Sequence, residues 1–145
     1  MRTFLLLFLT TFLGCSAYGS DALFILSRAE DQSTPDTQEM ELRFGRTTEK
    51  IFVNKDALLT NAQVAKASVL DGDPARLRIQ LTEEGAKKFE EITKMSLNKR
   101  LAIQINGVLV SAPTVRSVVT GGVLEIAGNM DSDTAEKIAA ALNKK

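Results

Sequence analysis

The chain has 145 residues, enough for one domain with a real core, and its 18 basic residues equal its 18 acidic ones. No net field therefore steers it toward nucleic acid or an anionic surface, and few aromatics with no Trp argue against a base-stacking platform. His is absent and Cys15 is the sole Cys, which removes the commonest general base, any intramolecular disulfide and any thiolate metal cluster.

The first residues differ in kind from the rest. Arg2 supplies a positive start, and Phe4 to Leu13 is apolar except for Thr10 and Thr11. That run is shorter than the ~20 residues a membrane-spanning helix needs, and it fits the apolar region of a secretory signal. Small residues follow: Gly14, Cys15, Ser16 and Ala17. Phe12-Leu13-Gly14-Cys15 resembles the lipobox of bacterial lipoprotein signals, with Phe12 and Leu13 departing from the preferred residue types. The resemblance implies diacylglycerol on the Cys15 thiol, cleavage before it and acylation of the new amine. Two or three acyl chains anchor stably at about 0.8 kcal/mol per buried methylene. Loss of Arg2 leaves 17 basic residues against 18 acidic ones, a net of −1. Ser16 after the Cys implies outer-membrane sorting where a cell has two membranes. The alternative is an ordinary signal cut after Ala17 or Gly19, giving a secreted or periplasmic soluble protein. The expected organisation is a signal over 1–14, a tether over 15–21 and one domain over 22–145.

Ala22 to Leu26 is a short apolar run that reads as a first strand. Glu30 to Thr37 is polar, contains Pro35 and reads as a loop. Ile51 to Val53 reads as a short strand, and Thr60 to Gln63 as a capping box opening a brief helix. From Arg76, Leu77, Ile79 and Leu81 alternate with Arg76, Arg78 and Gln80, the pattern of a half-buried strand. Thr82 caps a helix whose first turn carries Glu83 and Glu84, where the helix dipole favours negative charge. Ala86, Phe89, Ile92 and Met95 form its apolar stripe, with Glu84–Lys88 and Glu90–Lys94 as i, i+4 pairs.

Leu101, Ile103 and Ile105 alternate again before Asn106-Gly107, a strong hairpin signal, and Val108 to Val110 returns. Pro113 ends that strand because it cannot donate a ladder hydrogen bond. Gly121-Gly122 turns into a strand over Val123 to Ile126. Asp131 or Asp133 caps a last helix, Asp133 with Glu136 fitting a capping box, and Ala135, Ile138, Ala139 and Leu142 form its buried face. Interleaved strands and helices with an antiparallel hairpin indicate an α+β fold: a mixed or antiparallel sheet with helices packed on one face.

The parts of a catalytic site are scarce. A Ser–Lys dyad could use Ser96, Ser111 or Ser117, but such residues occur in any soluble domain. Asp71-Gly72-Asp73 lacks the ligand spacing of a calcium loop and reads as a turn. Gly121-Gly122 lacks the Lys-Ser or Lys-Thr of a phosphate-binding loop. The expectation is no enzyme, no cofactor and no metal.

From Ile51 onward the element order and several sequence words resemble the head subdomain of the first periplasmic region of SecD, a membrane subunit that assists protein export. The words are Leu81-Thr82-Glu83-Glu84-Gly85-Ala86-Lys87-Lys88-Phe89, Ile92-Thr93, Arg100-Leu101-Ala102-Ile103, Asn106-Gly107, Ser111-Ala112-Pro113, Gly121-Gly122 and Ile126-Ala127-Gly128-Asn129. The best-matching part is 51–145, and Ala22 to Lys50 matches loosely. The resemblance implies a SecD head-like fold and contact with translocating polypeptide. It does not carry the transmembrane proton-driven motor, which has no counterpart in this sequence. Most of the shared residues have structural readings: Gly85 for a close helix-to-sheet approach, Ala112-Pro113 for a strand exit, Phe89 and Ile92 for the core.

The function expected is a non-catalytic lipoprotein that binds exported polypeptide or export-channel subunits through an edge strand or shallow groove. Main-chain pairing suits sequence-tolerant recognition. The alternative is an envelope adaptor for one dedicated folded partner. Sequence alone names no partner-binding residue and sets no oligomeric state. Cys15→Ser should abolish acyl labelling and leave the protein uncleaved or released; an unchanged lipid-modified mass in that variant would refute the anchor.

Overall fold

Apolar alternation puts strands where it is strongest, and turn chemistry decides how they connect. The computed structural model describes residues 23–128 and 130–144. It contains β1 (Phe24–Glu30), β2 (Thr37–Phe44), β3 (Thr47–Thr60), a 3-10 turn (Asn61–Gln63), β4 (Val64–Leu70) and β5 (Arg76–Leu81). There follow α1 (Glu83–Met95), β6 (Leu101–Ile105), β7 (Val108–Ser111), β8 (Val123–Ala127) and α2 (Ser132–Asn143). The fold is α+β, and every strand pair is antiparallel. The strands divide into a five-stranded sheet, ordered β2-β3-β1-β6-β7, and a three-stranded sheet, ordered β4-β5-β8.

The division falls at Thr60. The Thr60 amide donates to Gln63 Oε1 (2.9 Å) while the Thr60 hydroxyl accepts from the Ala62 amide (3.3 Å). This capping box, expected from sequence, ends β3 and sends the chain into the other sheet. The brief helix is a single 3-10 turn.

Two hydrophobic clusters result. The larger packs Phe24 and Leu26 of β1, Leu77 and Ile79 of β5, and Ile126 of β8 against Phe89 and Ile92 of α1 and Ala135, Ala139 and Leu142 of α2. The smaller gathers Leu42, Ile51, Val53, Ala102, Leu109 and Ala112, with Met40 against it. All five residues of β6 are buried, including Ala102 and Gln104. A strict alternation would have put those two in water; the second cluster covers them instead. The five-stranded sheet curls until Cα atoms of its two edges, β2 and β7, lie within 8 Å of each other without forming a ladder.

The start of α1 is wedged between two neighbours. Thr82 Oγ1 accepts from the Gly85 amide (3.1 Å), and the Thr82 amide donates to the Gln63 carbonyl (2.8 Å). A Cβ on Gly85 would fall 2.9 Å from Gln63 Cβ, so Gly85 permits approach to the 3-10 turn rather than to a sheet. On the other side Gly122, at φ +65°, would place a Cβ 2.5 Å from Ala86 Cβ. Farther along the helix, buried Thr93 Oγ1 accepts from the Val119 amide (3.0 Å) and pins the long connection between β7 and β8.

At the far end, Asn143 of α2 faces the outer edge of the three-stranded sheet. Its Oδ1 accepts from the Ala67 amide (2.8 Å) and its Nδ2 donates to the Ala67 carbonyl (2.9 Å). One side chain thus satisfies both backbone groups of an edge residue and blunts β4 against pairing with another chain.

Several sequence expectations need correction. The short strand at Ile51–Val53 is the middle of a 14-residue strand whose hairpin partner, β2, was not anticipated, and β4 was missed. Both hairpin strands carry charge on exposed positions, which dilutes the alternation signal. Met95 is 64% exposed, because the helix ends there before its stripe completes another turn. The helical ion pairs are Glu83–Lys87 (3.0 Å) and Asp133–Lys137 (2.6 Å), not Glu84–Lys88 or Glu90–Lys94. Asp131 caps α2, accepting from the Thr134 amide at 2.7 Å, so Asp133 lies inside the first turn. The first strand begins at Phe24; Ala22 lies outside the described residues.

Phe89→Ala should destabilise the protein by about 3–5 kcal/mol, whereas Met95→Ala should change stability by less than about 0.5 kcal/mol. Urea unfolding of both variants checks the pair; equal effects would mean the buried face of α1 is wrongly assigned.

Candidate functional site

Cys15, the sequence-predicted lipid attachment residue, lies outside the described residues. The serines considered for a dyad are scattered: Ser96 follows the last turn of α1, Ser111 ends β7, and Ser117 lies in the connection to β8. Among the hydrogen bonds of the described residues, none joins a Ser hydroxyl to a Lys amine. Asp71-Gly72-Asp73 lies in the β4–β5 connection, and no group of three or more His, Cys, Asp or Glu among the described residues could hold a metal ion.

The concave feature of the molecule lies elsewhere. A groove of about 960 Å³ runs between the curled edges β2 and β7 and across to α2. That is the size of a ligand cleft, and its lining is mainly apolar. Met40 comes from β2, Ile105 from β6, Val108 and Val110 from β7, Met130 from the approach to α2, and Ile138 and Ala141 from α2 itself.

Local sequence explains why β7 is available there. Asn106 (φ +51°) and Gly107 (φ +77°) both adopt positive φ, and this two-residue turn reverses the chain tightly. Ile105 pairs with Val108 and Gln104 with Leu109, after which the register shifts before Ser111. β7 pairs with β6 alone and leaves its other side toward the groove. Val108 stands 61% exposed on the rim. At the other end of β7, a Cβ on Gly128 would lie 3.4 Å from the Val110 carbonyl, so the exit of β8 closes against the strand.

The rims are charged but internally paired. Along β2, Glu39 meets Lys50 of β3 at 2.8 Å and Glu41 meets Arg43 at 3.5 Å. The hydrogen bond that Lys50 donates to the Glu39 carboxylate raises the Lys50 pKa above its ordinary value. On α2, Lys137 is held by Asp133. The hydrogen bond from the Thr134 backbone amide lowers the pKa of the Asp131 cap, which fixes the start of the helix. These pairs cancel one another's charge, so recognition falls to the apolar floor and the edge backbone.

Arg100 holds the exit of β7. Its Nε donates to the Ala112 carbonyl (3.0 Å), and its two terminal nitrogens grip both oxygens of Glu49 (2.7 and 3.2 Å). This bidentate fork ties the β2–β3 hairpin to the chain leaving β7. The same fork lowers the Glu49 pKa.

Such a site can accept an extended segment, with apolar side chains on the floor and main-chain groups along β7. Among the hydrogen bonds of the described residues, none joins the Thr134 hydroxyl to the Lys137 amine, which both line it. Sequence reasoning named none of the lining residues as a site. The usable signals were the Asn106-Gly107 hairpin and the apolar face of the last helix, whose Ile138 and Ala141 turn partly to the groove rather than wholly to the core.

Two antiparallel sheets with two helices and a groove at a curled sheet edge define an α+β domain. The family model for the SecDF P1 head subdomain matches residues 36–144, and the chain belongs to that family. The match begins within the loop before β2, so the leading hairpin is part of the family fold.

The chain is 41% identical over 87 residues to the protein translocase subunit SecDF of Thermus thermophilus, covering 59% of this chain and 12% of that protein. It is 36% identical over 101 residues to the protein translocase subunit SecD of Endomicrobium trichonymphae, covering 67% of this chain and 21% of that protein. The chain thus spans a fifth or less of the length of most of the curated relatives it matches. A solved structure of SecDF, described as a membrane component that enhances protein export, superposes with a TM-score of 0.65 at 26% identity. That superposition covers 84% of this chain and 62% of the other. A crystal structure of SecDF in a super-membrane-facing form gives 0.64 at 25% identity, covering 84% and 18%. No helix among the described residues is long and apolar enough to cross a membrane.

The lowered Glu49 pKa has a signed consequence. Its contribution to stability is complete above the ordinary carboxylate value of 4.5 and is lost as pH falls through the lowered value in the folded state. Arg100→Met should reduce stability at neutral pH and flatten the loss through the acid range, as read by urea unfolding at stepped pH. An unchanged acid limb would mean the fork is not what holds Glu49.

Proposed function

We propose that this protein is a lipid-anchored, non-catalytic module of the bacterial cell envelope that engages exported polypeptide through the groove between β7 and α2. The observation that carries the reading is the free side of β7 facing an apolar groove, on a fold whose relatives are translocase subunits. An edge strand recognises the backbone common to all unfolded clients, and an apolar floor accepts varied side chains. The paired rim charges impose little sequence preference.

In this reading residues 1–14 are the signal and 15–21 the tether, with the acyl chains on Cys15 holding the domain at the membrane periphery, in the outer membrane where there are two. The domain then works as a holding surface. It takes no cofactor.

Photoreactive residues at Val108, Val110 and Ile138 test this in intact cells. Crosslinks to many secreted chains or to export-channel subunits are expected. Crosslinks to one unrelated folded envelope protein would replace the reading with that of a dedicated adaptor.

A further inference from the structure

We infer that a client pairs its main chain with β7 at Leu109 alone, and that the groove therefore selects short extended segments whose apolar side chains alternate; this rests on the reading of the groove given above. The Asn106-Gly107 turn sets the hydrogen-bond phase of β7. Both residues lie at positive φ (+51° and +77°), and in a two-residue turn of that kind the flanking residues, Ile105 and Val108, turn their main-chain groups toward each other. The next opposed pair, Gln104 and Leu109, is then of the non-hydrogen-bonded kind, because the two kinds alternate along an antiparallel ladder. The Leu109 N–H and carbonyl point away from β6, to the side where β7 has no strand partner. Among the described residues, no backbone hydrogen bond outside the helices and ladders involves Leu109.

The pairing stops on both sides of Leu109. Toward the turn, the main chain of Val108 faces β6. Toward the end of the strand, the register shifts so that Ile103 opposes Ser111, which leaves Val110 as the extra residue of a bulge. A Cβ on Gly128 would lie 3.4 Å from the Val110 carbonyl, so the chain leaving β8 already abuts that group. Leu109 is left to pair, and its N–H and carbonyl give a client two hydrogen bonds. Two such bonds hold weakly in water, so the side chains beside them decide which segment stays.

β7 separates two apolar surroundings. Val108 lies opposite Ile105, a member of the larger cluster, and Val110 and Ile138 pack against that cluster. Leu109 belongs to the smaller cluster, with Met40 packed against it. An added strand keeps this alternation, since opposed residues of neighbouring strands share a face. The client residue opposite Leu109 turns toward Met40, a position rimmed by Glu39 and Glu41, where a polar side chain is tolerated. Its two neighbours turn toward Val108, Val110, Met130 and Ile138, where apolar side chains are needed. The substrate class is an extended segment with apolar residues two apart, the pattern of a strand that has not yet joined its own sheet.

Fluorescent Ser-rich peptides carrying two Leu test this by anisotropy against the full-length protein. The peptide with one Ser between its Leu residues should bind about tenfold tighter than the isomer with adjacent Leu. Replacing Leu109 by its α-hydroxy acid in cell-free synthesis keeps the side chain and removes the N–H. That variant should keep its urea midpoint and bind the alternating peptide about three- to tenfold more weakly. Should it fail to fold, peptides N-methylated one position at a time read the same contact on the unaltered protein. One position should lose affinity, the middle Ser for an antiparallel client and the second Leu for a parallel one. Equal binding of the two isomers, or no sensitive position, overturns the pairing at Leu109 and leaves the groove standing as a client site. Binding of neither peptide also overturns it, and the crosslinks from Val110 and Ile138 in cells then decide the client reading separately.

Discussion

The structure depends on how closely the start of α1 can sit between the two sheets. Gln63, at the end of the 3-10 turn, and Gly122, just before β8, both lie against it, so that a Cβ would clash at either Gly85 or Gly122. Two backbone bonds lock the arrangement: the Thr82 amide to the Gln63 carbonyl and the Leu81 amide to the Gly122 carbonyl, both 2.8 Å. With α1 in place, Phe89 and Ile92 close the main core, and Thr93 ties down the connection that leads to β8. The family word Leu81 to Phe89 is therefore a packing constraint first. Its residues serve the scaffold and leave recognition to other parts of the surface.

The groove is placed by a different feature, the curl of the five-stranded sheet. A flat sheet would leave β2 and β7 as two distant edges, each open to water. The second cluster, built on Leu42, Val53, Ala102 and Leu109, draws the two edges toward each other. The groove is the space left over, bounded on its third side by α2. Arg100 and Glu49 tie the β2–β3 hairpin to the chain leaving β7. Edge β4 is meanwhile blunted by Asn143, so the molecule distinguishes between its edges: one is satisfied internally, and one faces an apolar floor.

Family membership and the groove bear on different questions. The P1 head match accounts for the fold over residues 36–144 and places the chain among relatives that are translocase subunits. The longer relatives hold this region within a much larger protein.

What the sequence by itself determined was local. Alternation over Arg76–Leu81, the caps at Thr60 and Thr82, the positive-φ turn at Asn106-Gly107 and the helix from Glu83 each follow from interactions within a few residues, so each was legible without a fold. The absence of His and the position of Cys15 were equally plain from the letters. The β2–β3 hairpin was not legible, because its exposed faces carry Glu, Lys and Arg whose strand conformation is imposed by neighbours across the ladder, and β4 was hidden behind the Thr60–Gln63 capping box, which reads as the start of a helix. Nor was the choice of Asp131 over Asp133 as cap, or the exposure of Met95. The groove lay furthest from sequence. Its walls come from β2, β7 and α2, separated by up to a hundred residues, and their apolar side chains look the same in sequence whether they face a core or a cleft. Only the curl of the sheet, a sum of many long-range contacts, decided which of them stayed in reach of a partner.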